Sequence, residues 1–288
     1  MCAPVRSQRH PSTIDFRLAP RRYNLSGLIA PTGWITWKLR LTRTRARVNL
    51  LPALKNDNCK PMVVQIYSMT SVSDAVATAD AGADLIGLVV AEPGVVPEAI
   101  GVELARSILA AIRPRSRGVA LSLSDDRDEI CAMVDAVRPD ILHVAAREIE
   151  PEDCAWIRSR IAPVMLLRAI AVRTGETLTE ADAHQDCVDY LMLDSGAKGR
   201  PFAGATGETH DWSISRTVVE RSRIPVILAG GLSADNVADA IATVRPWGVD
   251  SFTHTDVPGN RGKKDPARVR AFVAAAKRAF AENLKTNS

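Results

Sequence analysis

What this chain lacks narrows what it can be. Its five cysteines, Cys2, Cys59, Cys131, Cys154 and Cys187, are odd in number and show no C-x-x-C spacing, so neither a disulfide framework nor a zinc site is implied and a reducing, cytoplasmic setting is expected. No window holds the roughly 18 consecutive apolar residues of a membrane span, and the N-terminus lacks the compact apolar core of a secretory signal. A soluble chain with no membrane partner is the expectation. Acidic residues are nearly missing from positions 1–61, where 12 Lys/Arg face only Asp15 and Asp57, a net +10. Residues 62–288 carry 25 Lys/Arg against 31 Asp/Glu, a net −6, so the overall +4 belongs to the N-terminal segment and implies no nucleic-acid partner for the rest.

The basic segment has several prolines, no clean periodicity and the run Lys38-Leu-Arg-Leu-Thr-Arg-Thr-Arg-Ala-Arg47. Four readings compete: a disordered arm, a nucleic-acid-binding tail, an organelle-targeting presequence, or translated leader upstream of the true start. The last is preferred, because Met62 immediately precedes the first strand-like run. The expected organisation is therefore an extension over 1–61 and one catalytic domain over 62–288.

At 288 residues and 46% hydrophobic, the chain can bury a substantial core, and barrels of about 200–250 residues routinely form one domain. Short apolar or β-branched runs predict strands at Val63–Tyr67, Leu85–Val90, Gly118–Leu123, Ile141–Ala145, Pro163–Val172, Val188–Asp194, Pro225–Gly230 and Val249–Phe252. Helical patterns follow near 71–81, 101–113, 126–137, 151–160, 178–185, 213–222, 233–244 and 265–284. Eight alternations, with strands apolar on both faces, predict a closed (β/α)8 TIM barrel. A doubly wound open sheet would need a glycine-rich first turn, and Tyr67-Ser-Met-Thr-Ser71 has no glycine.

In a barrel the reactive groups stand at the C-terminal ends of strands. The run Val226-Ile-Leu-Ala-Gly-Gly-Leu232 leads into Ser233-Ala-Asp-Asn-Val-Ala-Asp-Ala-Ile241. It reads as a strand, paired glycines and a helix from Ser233 whose exposed N–H groups suit a phosphate. Gly230 and Gly231 are thus candidate phosphate ligands, and the other strand ends hold Tyr67, Glu98, His143, Asp194, Thr253 and His254.

Leu193-Asp-Ser195, Gly204-Ala-Thr-Gly207, His210-Asp-Trp212, Leu228-Ala-Gly-Gly-Leu232, Val244-Arg-Pro-Trp-Gly-Val-Asp250, Pro258-Gly259 and Lys264-Asp-Pro266 together resemble the phosphoribosylanthranilate isomerase family of tryptophan biosynthesis, from Val63 to about Ala274. The Gly-x-Thr-Gly loop ending in Asp-Trp is the most specific of these. The resemblance implies an Amadori rearrangement of a phosphorylated aminoaldose to the aminoketose, needing no metal or organic cofactor, in a monomer or homodimer. It makes Asp194 the acid that protonates the furanose ring oxygen, with Gly207 in the substrate loop.

Four positions depart from the family pattern. Gln65-Ile-Tyr67-Ser68 replaces Lys-Ile-Cys-Gly, so the family's thiol base is missing, and a phenol with a pKa of about 10 does not simply replace it. His143 takes an inward Gln position, and its ordinary pKa of about 6.5 makes it the expected base, assisted by Tyr67. Val96-Pro97-Glu98 replaces Ser-Pro-Arg, setting a carboxylate where the family holds the anthranilate end, with no replacement arginine evident nearby. Phe252-Thr-His-Thr-Asp256 replaces Ser-Ser-Gly-Val-Glu, supplying Thr253 and His254 as phosphate donors. The alternatives to an anthranilate-linked isomerase are an isomerase, epimerase or lyase on another phosphosugar, and a non-catalytic sugar-phosphate binder.

Overall fold

The strands begin where the periodicity places them. In this computed structural model, which describes residues 62–173, 175–195 and 207–286, the first half runs β1 (Val63–Ile66), α1 (Val72–Asp80), β2 (Leu85–Val90), β3 (Ala99–Ile100), α2 (Val102–Ile112), β4 (Arg117–Ser122), α3 (Arg127–Val137), β5 (Ile141–Val144) and α4 (Pro151–Ile161). It continues through β6 (Met165–Val172), α5 (Thr177–His184), β7 (Tyr190–Ser195), α6 (Trp212–Arg221), β8 (Val226–Leu228), α7 (Val237–Val244), β9 (Gly248–Ser251), β10 (Asp256–Val257), β11 (Asn260–Lys264) and α8 (Pro266–Thr286). The expectations for 1–61 and for Gly204 to Thr206 lie outside the described residues.

Strands β1, β2 and β4 to β9 are parallel, each bonded to its neighbour, and β1 pairs with both β9 and β2, which closes the expected eight-stranded barrel. Period-two alternation divides its side chains into two layers. Val64, Ile66, Leu142, Leu166, Leu193 and Val249 face the helices, while Leu85, Val119, Ile141, Leu167, Met192 and Ile227 fill the interior. Stacked rings of Tyr190 and Trp247, 5.3 Å apart, add to that interior. A recurring aspartate ties neighbouring strands together at their starts: Asp84, Asp140 and Asp189 accept from the backbone N–H of Val64, Gly118 and Leu166 at 2.8–2.9 Å.

Local chemistry starts the helices. Ser71 caps α1 by accepting from Asp74 N at 3.1 Å, Asp126 caps α3 from Asp128 and Glu129, and Asp211 caps α6 from Ser213 N at 2.8 Å. Two features go beyond the sequence reading. Strand β3 adds an edge pairing to β2, and a β10–β11 hairpin fills the stretch read as the loop between the last strand and helix. The hairpin is anchored by Lys264, whose buried ammonium donates to Asp256 Oδ1 (2.5 Å), Thr255 Oγ1 (3.1 Å), Phe252 O (3.2 Å) and the Tyr67 carbonyl. A buried cation this well surrounded welds the hairpin to the end of β1.

Candidate active site

Alternation along the strands aims one set of groups inward at the C-terminal mouth. Tyr67 follows β1, and its N–H donates to Ser251 O on β9 at 3.0 Å. Its ring lies against Gly87 of β2, where an added Cβ would come within 2.4 Å of the ring carbons. That missing Cβ is what accommodates a phenol in the place of a smaller side chain. The Tyr67 hydroxyl is 2.9 Å from His143 Nδ1, the rings meeting edge to face at 5.6 Å.

Both groups are pushed away from proton abstraction. Burial, with the charge of Asp250 adding to it, raises the phenol well above its usual value, while burial, then the nearby Arg168, lowers His143 to about 3. The ordinary value near 6.5 on which a basic role for His143 rested does not hold here, because a buried imidazolium loses its hydration. His143 is neutral, with Nε2 buried and unpartnered.

Asp194 stands near the end of β7, its Oδ1 accepting from Ser195 N (2.7 Å) and Ser195 Oγ (3.3 Å). Burial outweighs those bonds and raises the carboxyl to about 6, the range in which an acid both holds and yields a proton near neutrality. A second carboxyl, Asp250 of β9, faces the same cavity. It is buried beside the Gln65 side chain, and burial followed by the charge of Asp194 raises it well above its usual value, against the opposing pull of Gln65 and Lys264. Sequence reasoning missed Asp250 because it searched only the last residues of strands. The signal was available in the two-residue period, which points 250 inward once 249 faces the helices.

The paired glycines turn with φ of +82° at Gly230 and +62° at Gly231. At Gly231 an added Cβ would lie 2.6 Å from Glu208 and Thr209 backbone atoms, so the close approach requires glycine. The helix expected from Ser233 begins instead at Val237. Asn236 Oδ1 takes the Ser233 N–H at 2.8 Å and its amide bonds Gly231 O, holding 233–236 as a turn. Thr253 Oγ1 comes within 3.2 Å of the place where a Cβ on Gly207 would be, and His254 Nε2 is 3.2 Å from Gly207 O. One cavity is therefore lined by all the expected site residues, Tyr67, Glu98, His143, Asp194, Gly207, Gly230, Gly231, Thr253 and His254, and by Asp250.

Glu98 differs from expectation in its surroundings. Arg261, from β11, donates Nε and Nη2 to the two Glu98 oxygens, both at 2.9 Å, and its guanidinium lies 4.7 Å over the Phe252 ring. An arginine does stand beside the position 98 loop, brought there by the hairpin from far along the chain. Arg168, at the middle of β6, does not line this cavity. It donates to Ala146 O at 2.5 Å and pairs with Glu180 at 3.7 Å. His210 bonds Ser215 Oγ at 2.7 Å, and burial lowers it to about 4.

A buried carboxyl next to a paired-glycine turn at the mouth of a closed (β/α)8 barrel suits proton transfer on a small anionic substrate, and the comparisons place the chain among barrel isomerases. Residues 64–275 match the family model of N-(5'-phosphoribosyl)anthranilate (PRA) isomerase. An N-(5'-phosphoribosyl)anthranilate isomerase of Pseudomonas fluorescens is 37% identical over 213 residues, covering 74% of this chain and 97% of the relative. The solved phosphoribosyl anthranilate isomerase of Thermotoga maritima superposes with a TM-score of 0.64 at 26% identity, over 75% of this chain and 98% of that one. A second solved phosphoribosyl anthranilate isomerase, in complex with reduced 1-(o-carboxyphenylamino)-1-deoxyribulose 5-phosphate, gives 0.63 at 25% identity with the same coverage. The chain belongs to the N-(5'-phosphoribosyl)anthranilate isomerase family.

Proposed function

We propose that the protein converts N-(5'-phosphoribosyl)anthranilate to its aminoketose isomer in tryptophan biosynthesis, with Asp194 as the acid that opens the ribose ring. The observation that carries this reading is the adjacency of acid and cradle: Asp194 Oδ1 lies 3.2 Å from the place a Cβ on Gly230 would occupy. A sugar whose phosphate rests on the Gly230–Gly231 turn, with Gly207, Thr253 and His254 closing over it, brings its ring to that carboxyl. The wall formed by Val89, Leu121, Leu123 and Phe252 offers an apolar face to an aromatic ring, and the Arg261 guanidinium beside Phe252 supplies a cation for a carboxylate.

The test is spectroscopic consumption of N-(5'-phosphoribosyl)anthranilate by the full chain, with Asp194→Asn as control. The expected result is turnover that falls by roughly 10²–10⁴-fold in the control, the usual weight of a general acid. A folded chain that binds inorganic phosphate but shows no turnover overturns the reading in favour of another phosphosugar, which the replacement of the family thiol by Tyr67 would then explain.

The same reading makes this a cytoplasmic enzyme working as a monomer or homodimer, with catalysis confined to 62–288 and 1–61 as an extension. It is supported by the location of every candidate group within 62–288. Among the described residues, no helix is long and apolar enough to cross a membrane.

A further inference from the structure

We propose that the cavity lined by β6, α5 and the β5–α4 connection is a second binding site, for a small oxyanion, a phosphate or carboxylate group, held by Arg168, Arg173 and His184. It stands whether or not the isomerase reading holds.

The cavity measures about 220 Å3, and Arg147, Arg168, Arg173 and His184 line it against two carboxylates, Glu150 and Glu180. Ala145 is the one residue it shares with the mouth. Glu150 is the N-cap of α4, where a carboxylate answers the positive end of its own helix. The lining therefore keeps a cationic excess.

Arg168 sits where an apolar residue would be expected. Leu166 and Ile170 of β6 pack in the layer between strands and helices, and the two-residue period puts Arg168 on that same face. It is 2% exposed. A guanidinium carries five N–H donors. Here Nη1 donates to Ala146 O at 2.5 Å, while Nη2 lies 3.7 Å from Glu180 Oε1, within ion-pair reach and too far for a hydrogen bond. Nε is buried with no hydrogen-bond partner among the described residues. A buried cation is costly unless its donors are taken up, and an anion in the cavity takes up what Glu180 leaves.

His184 repeats the pattern from α5. Its Nδ1 is 2.8 Å from Glu180 O, and because a carbonyl only accepts, Nδ1 carries a proton. Nε2 is buried and also without a hydrogen-bond partner among the described residues. Beside an oxyanion the doubly protonated ring donates from both nitrogens. Arg173 is the exposed member of the set. Thr177 Oγ1 accepts from Arg173 N at 2.8 Å and donates to Arg173 O at 2.7 Å, which ties residue 173 to the first turn of α5. Two buried donors and one exposed cation thus converge from β6 and α5 on one cavity.

Inorganic phosphate and acetate are to be titrated at fixed ionic strength into the full-length protein, following by NMR the Arg168 Nε–H, assigned by its loss in Arg168→Lys, and the Gly230 and Gly231 amides at the mouth. The Arg168 signal is expected to shift saturably with at least one anion; phosphate alone assigns a phosphate group, acetate alone a carboxylate. Arg173→Ala, confirmed as folded by thermal unfolding, is expected to weaken that curve about tenfold, the weight of one charged hydrogen bond, and to leave the Gly230 and Gly231 curves unchanged. An Arg168 signal unmoved by tens of millimolar of either anion, moved equally by chloride, or moved with the same midpoint in Arg173→Ala overturns the site. The isomerase reading is untouched by any of these failures, since turnover enters none of them.

Discussion

Arg261 holds both oxygens of Glu98 with two hydrogen bonds of 2.9 Å, across 163 residues of sequence. The pair brings a cation beside the position 98 loop and engages it in the same stroke. If the anthranilate carboxylate docks at this guanidinium, Glu98 competes with it for the same donors. Glu98→Gln should then lower KM by about fivefold, on the order of 1 kcal/mol, with kcat nearly unchanged. Steady-state kinetics check this, and a raised KM would show that Glu98 itself contacts the substrate.

Tyr67 and His143 form a closed pair lodged against Gly87. Removing the hydroxyl with Tyr67→Phe leaves His143 Nδ1 short of its partner, a loss of about 1–2 kcal/mol in stability. With the phenol held protonated by burial, kcat should remain within about threefold of the parent, since general acid–base groups weigh far more than that. A hundredfold loss would make the phenol a proton carrier after all. Gly87→Ala should be the more damaging change, because its methyl would meet the ring itself at 2.4 Å.

Asp194 binds its proton more tightly in the folded protein, at about 6 against an ordinary 3.8, because burial disfavours the carboxylate. The folded state therefore gains from this group below about pH 4 and loses that gain as pH rises through about 6, a swing of about 3 kcal/mol. Asp194→Asn, which keeps an acceptor for Ser195 N, should melt several degrees above the parent at pH 7.5 and level with it at pH 4. Lowered values at His143 and His210 are common to both proteins and cancel. Thermal melts at the two pH values decide it, and an equal gap at both would refute the cause.

The same sequence patterns explain both what was legible and what was missed. Strands and helices followed from local periods, and the glycine turn at 230–231 from two adjacent residues without side chains. The extra pairing at Ala99–Ile100 and the hairpin at 256–264 were read as loops, since runs of two to five residues are too short for a period to declare itself. The helix expected from Ser233 started four residues late because the Asn236 amide competes for the local backbone groups.

By itself the sequence determined the eightfold alternation that closes a barrel, and it set Asp194, Gly230 and Gly231 at strand ends facing one mouth. Those properties are local, written in the chain at spacings of two to four residues. Only the tertiary structure decided that Arg261 meets Glu98, that Tyr67 bonds His143, and that Asp250, in register with Gln65, faces the same cavity as Asp194. Barrel closure makes β9 the neighbour of β1, and burial in that closed interior, which no residue carries in its identity, is what moves the two carboxyls and the imidazole away from their ordinary proton affinities.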